Sequence, residues 1–162
     1  TEKIVQYLKQ KRVKANEDKL KRIASSVYEE AQHYDIDYRL VLAVMKVESN
    51  FRSDAVSRDG AWGLLQIKPA LARHISRDLG VPLKSSKCLH EPEKNIKIGV
   101  NFLSRLIEKF ENVNTALHAY NAGPRKVKPV HSNEEKPRSQ FARKVIKEYQ
   151  NIIIELPDPT TQ

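Results

Sequence analysis

The sequence predicts a mainly α-helical domain that contains one irregular segment. Apolar residues recur at steps of three and four along most of the chain, which is the spacing that one face of a helix requires. Strand signals are weak, because no sustained alternation and no hairpin turn flanked by β-branched residues occurs. The chain has 162 residues, of which 40% are hydrophobic, so it is long enough to bury one core.

The first half of the chain contains two predicted helices after an N-terminal arm. In residues 1–15, Ile4, Val5 and Leu8 stand among lysines, a pattern that fits either a helical arm or the remnant of a linker. The apolar face of the next helix comprises Leu20, Ile23, Ala24, Val27, Tyr28 and Ala31. Asp37 is placed to cap a further helix. The apolar side of that helix comprises Leu40, Val41, Val44 and Val47.

An irregular segment at residues 51–69 interrupts the helical pattern. It is rich in serine, aspartate and glycine, which is loop composition. Asp59 and Gly60 favour a turn, and a short β-element is compatible with this segment. A short helix is then predicted over residues 69–79, ended by Gly80.

Three helices are predicted in the second half, two of them after the connector at 80–92 and one near the end. The clearest carries Ile96, Gly99, Val100, Leu103, Leu106, Ile107 and Phe110. Asn114 is predicted to cap the next helix, which ends at Gly123. Residues 124–139 are basic and contain three prolines, which predicts a loop. The last helix carries Phe141, Val145, Tyr149, Ile152 and Leu156, and Pro157 ends it.

The charge balance is strongly basic, with a net charge of +9 from 29 basic and 20 acidic residues. This favours a polyanionic partner, for which nucleic acid, anionic lipid and bacterial cell wall all qualify. The basic residues are spread along the chain without a nucleic-acid recognition motif, which disfavours a nucleic-acid-binding module. The single cysteine, Cys88, excludes an intramolecular disulfide, and no Cys/His spacing indicates a zinc site, so we expect neither metal nor cofactor.

Glu48 is the first candidate for chemistry, because it follows Val44, Met45 and Val47 near the predicted end of a helix. Burial and the negative end of a helix both disfavour a charged carboxylate. A carboxyl group in this environment can keep its proton near neutral pH, as a general acid must. The alternative is a solvated carboxylate on the last helical turn, and the residue alone does not decide between the two.

Three ordered motifs accompany this glutamate. The first comprises ESNF at 48–51, AVS at 55–57 and GAWGLLQIKP at 60–69. The second is EPEKNIKIG at 91–99, and the third is ALHAYNAG at 116–123. In order and spacing they resemble the signature of the family 1 lytic transglycosylases, which is Glu-Ser-x-Phe, Ala-x-Ser, Gly-Ala-x-Gly-Leu-Met-Gln-Ile-x-Pro, followed by Asp-Pro-x-x-Asn-Ile-x-x-Gly and Ala-Tyr-Asn-Ala-Gly.

The resemblance covers residues from about 40 to 149. It implies a lysozyme-like, goose-type helical domain with a small loop or β-element region after the catalytic helix. We place this domain at 16–157 and a tail at 158–162. The family cleaves the bond between N-acetylmuramic acid and N-acetylglucosamine without water and leaves a 1,6-anhydro ring. We therefore expect peptidoglycan glycan strands as the partner, no nucleic acid, and a monomer.

The resemblance also implies a periplasmic, cell-envelope or extracellular location. The chain begins at Thr1 rather than Met, and no export signal or anchor is visible in it. The absence of a visible signal in this chain does not argue for a cytoplasmic location.

Individual roles follow from the same resemblance, with Glu48 as the single catalytic acid and base. The implied substrate-binding residues are Ser57, Gly63, Leu65, Gln66, Tyr120 and Asn121. Ser57 is similar to the family serine beside the glutamate and the acetamido group, and Gln66 is placed to hydrogen-bond the sugar. The Tyr120 hydroxyl is expected to reach Glu48 or the sugar, with core packing as the alternative. Trp62 either stacks on a sugar or covers the apolar side of the loop.

Two positions depart from the family pattern. Leu65 stands where the family usually has Met, a change that conserves volume. Before the last helix the family often has Glu-Thr-x-x-Tyr-Val, whereas this chain has Pro137, Arg138, Ser139, Gln140, Phe141 and Ala142. The acid and the tyrosine hydroxyl of the family pattern are therefore missing from this segment.

Two other functions remain compatible with the same fold. A lysozyme-like muramidase would need a second carboxylate, and Asp54 or Asp59 would serve if it lay roughly 6.5–9.5 Å from Glu48 across the cleft. A non-catalytic basic binding module is the second alternative, which the presence of Glu48 and Ser57 disfavours.

Overall fold

The computed structural model describes residues 1–129 and 139–158. This part of the chain contains seven α-helices and two short 3-10 helices. The α-helices are α1 (Glu2–Gln10), α2 (Glu17–His33), α3 (Tyr38–Ser49), α4 (Pro69–Leu79), α5 (Pro92–Phe110), α6 (Val113–Ala122) and α7 (Gln140–Glu155). The prediction of a mainly α-helical domain is confirmed. No helix in the described ranges is long and apolar enough to cross a membrane.

The core surrounds α3. This helix packs against α7 and α2, while α5 packs against α2 and α6. The middle of α3 is apolar on every side, and its fully buried residues are Val41, Leu42, Ala43, Val44 and Met45. A helix that is apolar all round is enclosed by its neighbours. The last turn of α3, which carries Glu48, is therefore held by the centre of the domain.

Two helices have the cap residues that the sequence predicted. The side chain of Asp37 accepts a hydrogen bond from the backbone N–H of Arg39 at 2.9 Å, which confirms the predicted cap of α3. Gly80 ends α4 with φ of 64°, in the left-handed conformation that glycine adopts without steric cost.

The predicted cap of α6 is wrong by two residues. Asn112, and not Asn114, accepts the capping hydrogen bond, from the N–H of Thr115 at 3.0 Å. The reason lies in the preceding helix: α5 ends at Glu111 in the left-handed conformation, so the chain turns at once. Asn112 is then the first residue with extended backbone, which is the conformation that an N-cap requires.

The N-terminal arm is helical and contributes to the core. Ile4, Val5, Tyr7 and Leu8 of α1 are buried, and α1 packs against α2. Lys11, directly after α1, forms an ion pair with Glu155 of α7 at 2.7 Å. The arm is thus held by both apolar burial and a contact with the last helix.

The segment between α3 and α4, which is described in full, contains only two isolated antiparallel bridges, Val56–Trp62 and Trp62–Ile67. The predicted turn is present, because the N–H of Gly60 donates to the carbonyl of Ser57 at 3.0 Å and Gly60 has φ of 80°. The segment therefore folds back on itself as a compact loop beside the end of α3.

The last helix begins at a cap that the sequence analysis did not name. The Ser139 hydroxyl accepts a hydrogen bond from the N–H of Ala142 at 3.2 Å. Pro137 and Arg138, where the chain departs from the family pattern, lie outside the described residues. Tyr149, expected mainly to pack, also donates its hydroxyl to Asp37 at 2.7 Å and so ties α7 to the start of α3.

Candidate active site

A cleft of about 480 Å³ opens beside the last turn of α3. Its walls come from α3, the loop at 57–68, α5 and the end of α6. Glu48 lines this cleft together with four of the predicted substrate-binding residues, Ser57, Gln66, Tyr120 and Asn121. The structure thus brings together residues that are up to 73 positions apart in the sequence.

Glu48 lies partly buried on the last turn of α3, which ends at Asn50 in the left-handed conformation. Burial raises the pKa of the Glu48 carboxyl group to about 7, because the protein removes water that would stabilise the carboxylate. None of the described residues donates a hydrogen bond to this carboxyl group or forms an ion pair with it, so the loss of water is not offset. Near neutral pH the group therefore exchanges between its protonated and ionised forms.

Tyr120 shapes the cleft by holding the loop opposite α6. Its buried hydroxyl donates to the backbone carbonyl of Leu65 at 2.6 Å, a partner that the sequence analysis did not anticipate. Burial, and then the charge of Glu48, raise the pKa of Tyr120 well above its usual value, so the hydroxyl keeps its hydrogen. The ring lies 5.2 Å from that of Phe102 and stacks on Phe141 at 6.3 Å. Because the single hydroxyl hydrogen of Tyr120 is donated to the carbonyl of Leu65, it does not stabilise the Glu48 carboxylate.

Ser57 and Gln66 present polar groups in the cleft. The Ser57 hydroxyl accepts a hydrogen bond from the N–H of Ala61 at 3.0 Å, and its own hydrogen has no acceptor within the described part of the chain. The Gln66 side-chain amide donates to the carbonyls of Gly63 at 2.9 Å and Ala55 at 3.3 Å. These bonds orient the Gln66 side chain and leave its carbonyl oxygen as the group for a ligand hydroxyl.

Two of the predicted substrate-binding residues, Gly63 and Leu65, do not line the cleft. Gly63 has φ of 78°, and a Cβ atom there would overlap the side chain of Asn95 and the carbonyl of Leu89. The Leu65 side chain is buried against Gly99 of α5. Both residues lie beneath the surface of the site, where they set the path of the loop.

Asn95 holds this loop on α5, and the sequence analysis gave it no role. Its side chain is fully buried. The carbonyl oxygen accepts from the N–H of Leu65 at 2.8 Å, and the amide nitrogen donates to the carbonyls of Trp62 and Leu89, each at 2.9 Å. The available signal was an asparagine inside the apolar pattern of a helix, because a buried amide requires partners for all its polar atoms.

Trp62 packs within its own loop region. Its ring lies 4.8 Å from that of His90, and Trp62 does not line the cleft. His90 Nδ1 in turn lies 2.9 Å from the backbone carbonyl of Ser53. Of the two interpretations left open by the sequence, these contacts favour the one in which Trp62 covers the loop.

The two candidate second carboxylates occupy different places. Asp59 is exposed at the rim of the cleft that contains Glu48. Asp54 lines a separate hollow together with residues of the α1–α2 connection. Only Asp59 therefore shares the site.

The fold and this cleft define a lysozyme-like helical domain with the partly buried Glu48 in its cleft. The family model described as "Transglycosylase SLT domain" matches residues 25–142, and the chain belongs to that family. The match includes Glu48 and every residue that lines the cleft.

Curated relatives agree with the family. The chain is 36% identical over 96 residues to the soluble lytic murein transglycosylase of Salmonella typhimurium, covering 58% of this chain and 15% of the relative. It is 34% identical over 122 residues to the membrane-bound lytic murein transglycosylase C of Photorhabdus laumondii, covering 69% of this chain and 34% of the relative. The matched regions thus span only 15% and 34% of the length of these two relatives.

A solved structure has the same fold. The chain superimposes on an inactive mutant of the lytic transglycosylase Slt from Pseudomonas aeruginosa with a TM-score of 0.73 and 29% identity. The match covers 84% of this chain and 25% of that protein. The predicted lysozyme-like helical domain is therefore confirmed.

Proposed function

We propose that this chain is the catalytic domain of a peptidoglycan lytic transglycosylase. It cleaves the β-1,4 bond between N-acetylmuramic acid and N-acetylglucosamine, and Glu48 acts first as acid and then as base. The proposal rests on one observation: a partly buried carboxyl group whose pKa is about 7 in an open cleft. Such a group can donate a proton and take one back near neutral pH. The names of the relatives, lytic murein transglycosylases, support the same reaction.

The first step breaks the glycosidic bond. The protonated Glu48 carboxyl transfers its proton to the bridging oxygen as the bond from C1 to that oxygen breaks, and N-acetylglucosamine leaves as an alcohol. The acetamido carbonyl oxygen of the muramic acid residue shares its electrons with C1 and stabilises the positive charge. In this proposal Ser57 hydrogen-bonds the acetamido group, which is supported by its location in the cleft and by a hydroxyl hydrogen that has no acceptor among the described residues.

The second step closes the ring. The Glu48 carboxylate takes the proton of the C6 hydroxyl of muramic acid as the C6 oxygen attacks C1, and the acetamido oxygen is released. The product is a 1,6-anhydro ring, no water is consumed, and Glu48 is protonated again. Burial favours this step, because a carboxylate without water or hydrogen-bond donors is a stronger base than one in solvent.

Gly63, Leu65 and Asn121 have different parts in this proposal. Asn121 is exposed in the cleft at the end of α6, where it is available to a sugar hydroxyl. Gly63 and Leu65 act through the loop that carries Gln66, and thus position a binding residue without touching the substrate.

Hydrolysis is the second candidate, because Asp59 lies in the same cleft as Glu48. An inverting hydrolase would use Asp59 to activate a water molecule on the far side of the sugar. The exposed position of Asp59 supports this function less well than the partly buried position of Glu48 supports the first, since no hydrogen bond or ion pair among the described residues fixes the Asp59 side chain.

Mass spectrometry of products from purified peptidoglycan distinguishes the two reactions. We expect anhydro-muramic acid ends, whereas reducing ends would identify a hydrolase. Glu48→Gln should lower the rate by at least ~10²–10⁴-fold, with an unchanged circular dichroism spectrum. Asp59→Asn is the matched control and should retain most of the activity. Cleavage by Glu48→Gln at the wild-type rate would exclude the mechanism.

The proposed substrate also suggests where in the cell the protein acts. We propose that it acts on glycan strands in the periplasm or cell envelope, as the names of soluble and membrane-bound murein transglycosylases among its relatives suggest. We further propose that it acts as a monomer, which a sedimentation measurement at micromolar concentration tests.

A further inference from the structure

A second hollow, of about 450 Å³, is lined in part by the residues that directly follow α3. We call it the basic pocket. One wall is the connection between α1 and α2, and the other is the segment 50–54. Its charged lining residues are Lys11, Arg12, Lys14, Lys19, Arg52 and Asp54. Five cations thus face one carboxylate around a concave surface.

Most of this positive charge is not neutralised. Lys11 is paired with Glu155. Within residues 1–129 and 139–158, no carboxylate lies within 4.0 Å of the charged groups of Arg12, Lys14, Lys19 or Arg52. Like charges gathered in a hollow repel one another, and an anionic ligand would remove that cost. Arginine and lysine side chains are the usual partners of carboxylate groups.

The two walls of the basic pocket are held in place. The ring of Tyr7 in α1 meets that of Phe51 edge-on at 6.1 Å, and Phe51 lines the pocket. Asn16 caps α2 by accepting the N–H of Lys19 at 2.9 Å. Lys11 lies over the Tyr7 ring at 5.3 Å. The cations are therefore presented by fixed backbone, which lowers the entropy lost on binding.

The basic pocket begins close to the catalytic carboxyl group along the chain. Asn50 and Phe51, which line it, follow Glu48 by two and three residues. Consecutive Cα atoms are ~3.8 Å apart, so the Cα atoms of Glu48 and Asn50 are at most about 8 Å apart. Residues 11–19 of the pocket precede residue 25, where the match to the family begins. One wall of the pocket thus comes from a part of the chain that the family match does not include, and the other wall, residues 50–54, lies within the match.

We propose that the basic pocket binds a carboxyl group of the peptide that is attached to the glycan strand. Each N-acetylmuramic acid of peptidoglycan can carry a stem peptide with free carboxylates, and in the proposed reaction that sugar is bound at Glu48. This inference rests on the proposed function. The pocket therefore contributes to substrate specificity. Glycan strands that carry peptides bind better than strands from which the peptides have been removed.

A binding experiment tests the pocket without any cleavage. The probe is a synthetic wall stem pentapeptide with free carboxyl groups, added to isotope-labelled protein and followed by NMR. We expect shifts in the amide signals of residues 11–14 and 50–54, and none with the same peptide after amidation of its carboxyl groups. Equal shifts with both peptides, or shifts confined to the cleft, would overturn the inference and leave the proposed function standing.

Kinetics test the consequence for substrate choice. Arg12→Gln/Lys14→Gln removes two exposed cations of the pocket, and Arg143→Gln/Lys144→Gln removes two exposed cations of α7 as the matched control. We expect the first variant to raise KM about tenfold on peptide-bearing strands, equivalent to ~1.4 kcal/mol of binding, with kcat little changed. The ratio of KM between peptide-bearing and amidase-stripped strands should stay at the wild-type value in the control.

The outcomes separate the two proposals. A parallel rise of KM on both kinds of strand, or no rise, would refute the role of the pocket, since cleavage itself would still be observed. If no form of the protein cleaves either strand, the proposed function fails, and the NMR titration alone decides whether the pocket binds carboxylates. Thermal unfolding of each variant confirms that the fold is retained.

Discussion

Replacing Glu48 by glutamine should stabilise the protein at alkaline pH while it removes activity. The carboxyl group is partly buried, and its pKa of about 7 is well above the ordinary value of 4.5. In the unfolded chain the group ionises freely above pH 4.5, whereas in the folded protein ionisation is opposed by burial. Its contribution to stability is therefore complete below about pH 4.5 and is lost as the pH rises to about 7.

The size of the effect follows from the two pKa values. Each pKa unit corresponds to ~1.36 kcal/mol, so the ionised group lowers the free energy of unfolding by roughly 3 kcal/mol once the pH exceeds about 7. Glutamine has a similar shape and no charge at any pH. The advantage of Glu48→Gln over the wild type should grow by roughly 2.5 kcal/mol between pH 5 and pH 8.

Urea unfolding of both proteins at half-unit steps from pH 5 to pH 8 measures this difference. In thermal unfolding the full effect corresponds to a rise of roughly 6–12 °C in Tm at pH 8. Glu29→Gln is the matched control, because Glu29 is exposed on α2 and is hydrated in the folded protein. The pH-dependent gain in stability should be specific to Glu48→Gln.

One result would refute the reasoning. If the difference between Glu48→Gln and the wild type is the same at pH 5 and pH 8, the Glu48 carboxyl group is not opposed by burial in the folded protein. The general-acid role would then lack its physical basis, even if the residue were still required for activity.

Three further substitutions test the loop behind the cleft. Asn95→Ala leaves the N–H of Leu65 and the carbonyl of Leu89 without partners, while the carbonyl of Trp62 keeps the N–H of Ile67, and should lower the free energy of unfolding by at least ~2 kcal/mol in urea. Gly99→Ala places a methyl group 2.5 Å from Leu65 Cδ1 and should cost ~1–3 kcal/mol; a Leu65→Ala background should recover part of that loss, and full additivity would disprove the contact. Tyr120→Phe should cost ~1–2 kcal/mol, but the apparent pKa of Glu48 in the pH–rate profile should remain near 7, because the lost hydroxyl serves Leu65.

Much of the helical fold was accessible from local pattern. The apolar spacing in α2, α3, α5 and α7 depends on contacts that recur every turn, and the caps at Asp37 and Gly80 act within two or three residues. For Glu48 the local pattern favoured burial, since three of the four residues before it are apolar, but it did not exclude a solvated carboxylate on the last helical turn. The cap of α6 was predicted at Asn114 and lies at Asn112, because its position depends on how the preceding helix ends.

The supports of the site could not be predicted in this way. The Tyr120 hydroxyl and the Leu65 carbonyl are 55 residues apart, and Asn95 reaches a loop that lies 30 residues earlier. Such contacts leave no periodic signal, because they form only after the helices have packed. A polar side chain in an apolar helix indicates that a partner exists, but the chain alone does not say which backbone group it is.

The attachment of the loop to Asn95 limits how this site can be transplanted. Residues 60–67 contain most of the motif that surrounds the glutamate, yet their backbone is fixed by Asn95 and fitted to Gly99, both of which belong to α5. A protein engineer who moved the motif alone into another helical bundle would carry over its sequence without its shape. The smallest unit that could be moved comprises α3, the loop and α5 together. Tyr120 of α6 must be included as well, because its hydroxyl holds the loop at Leu65.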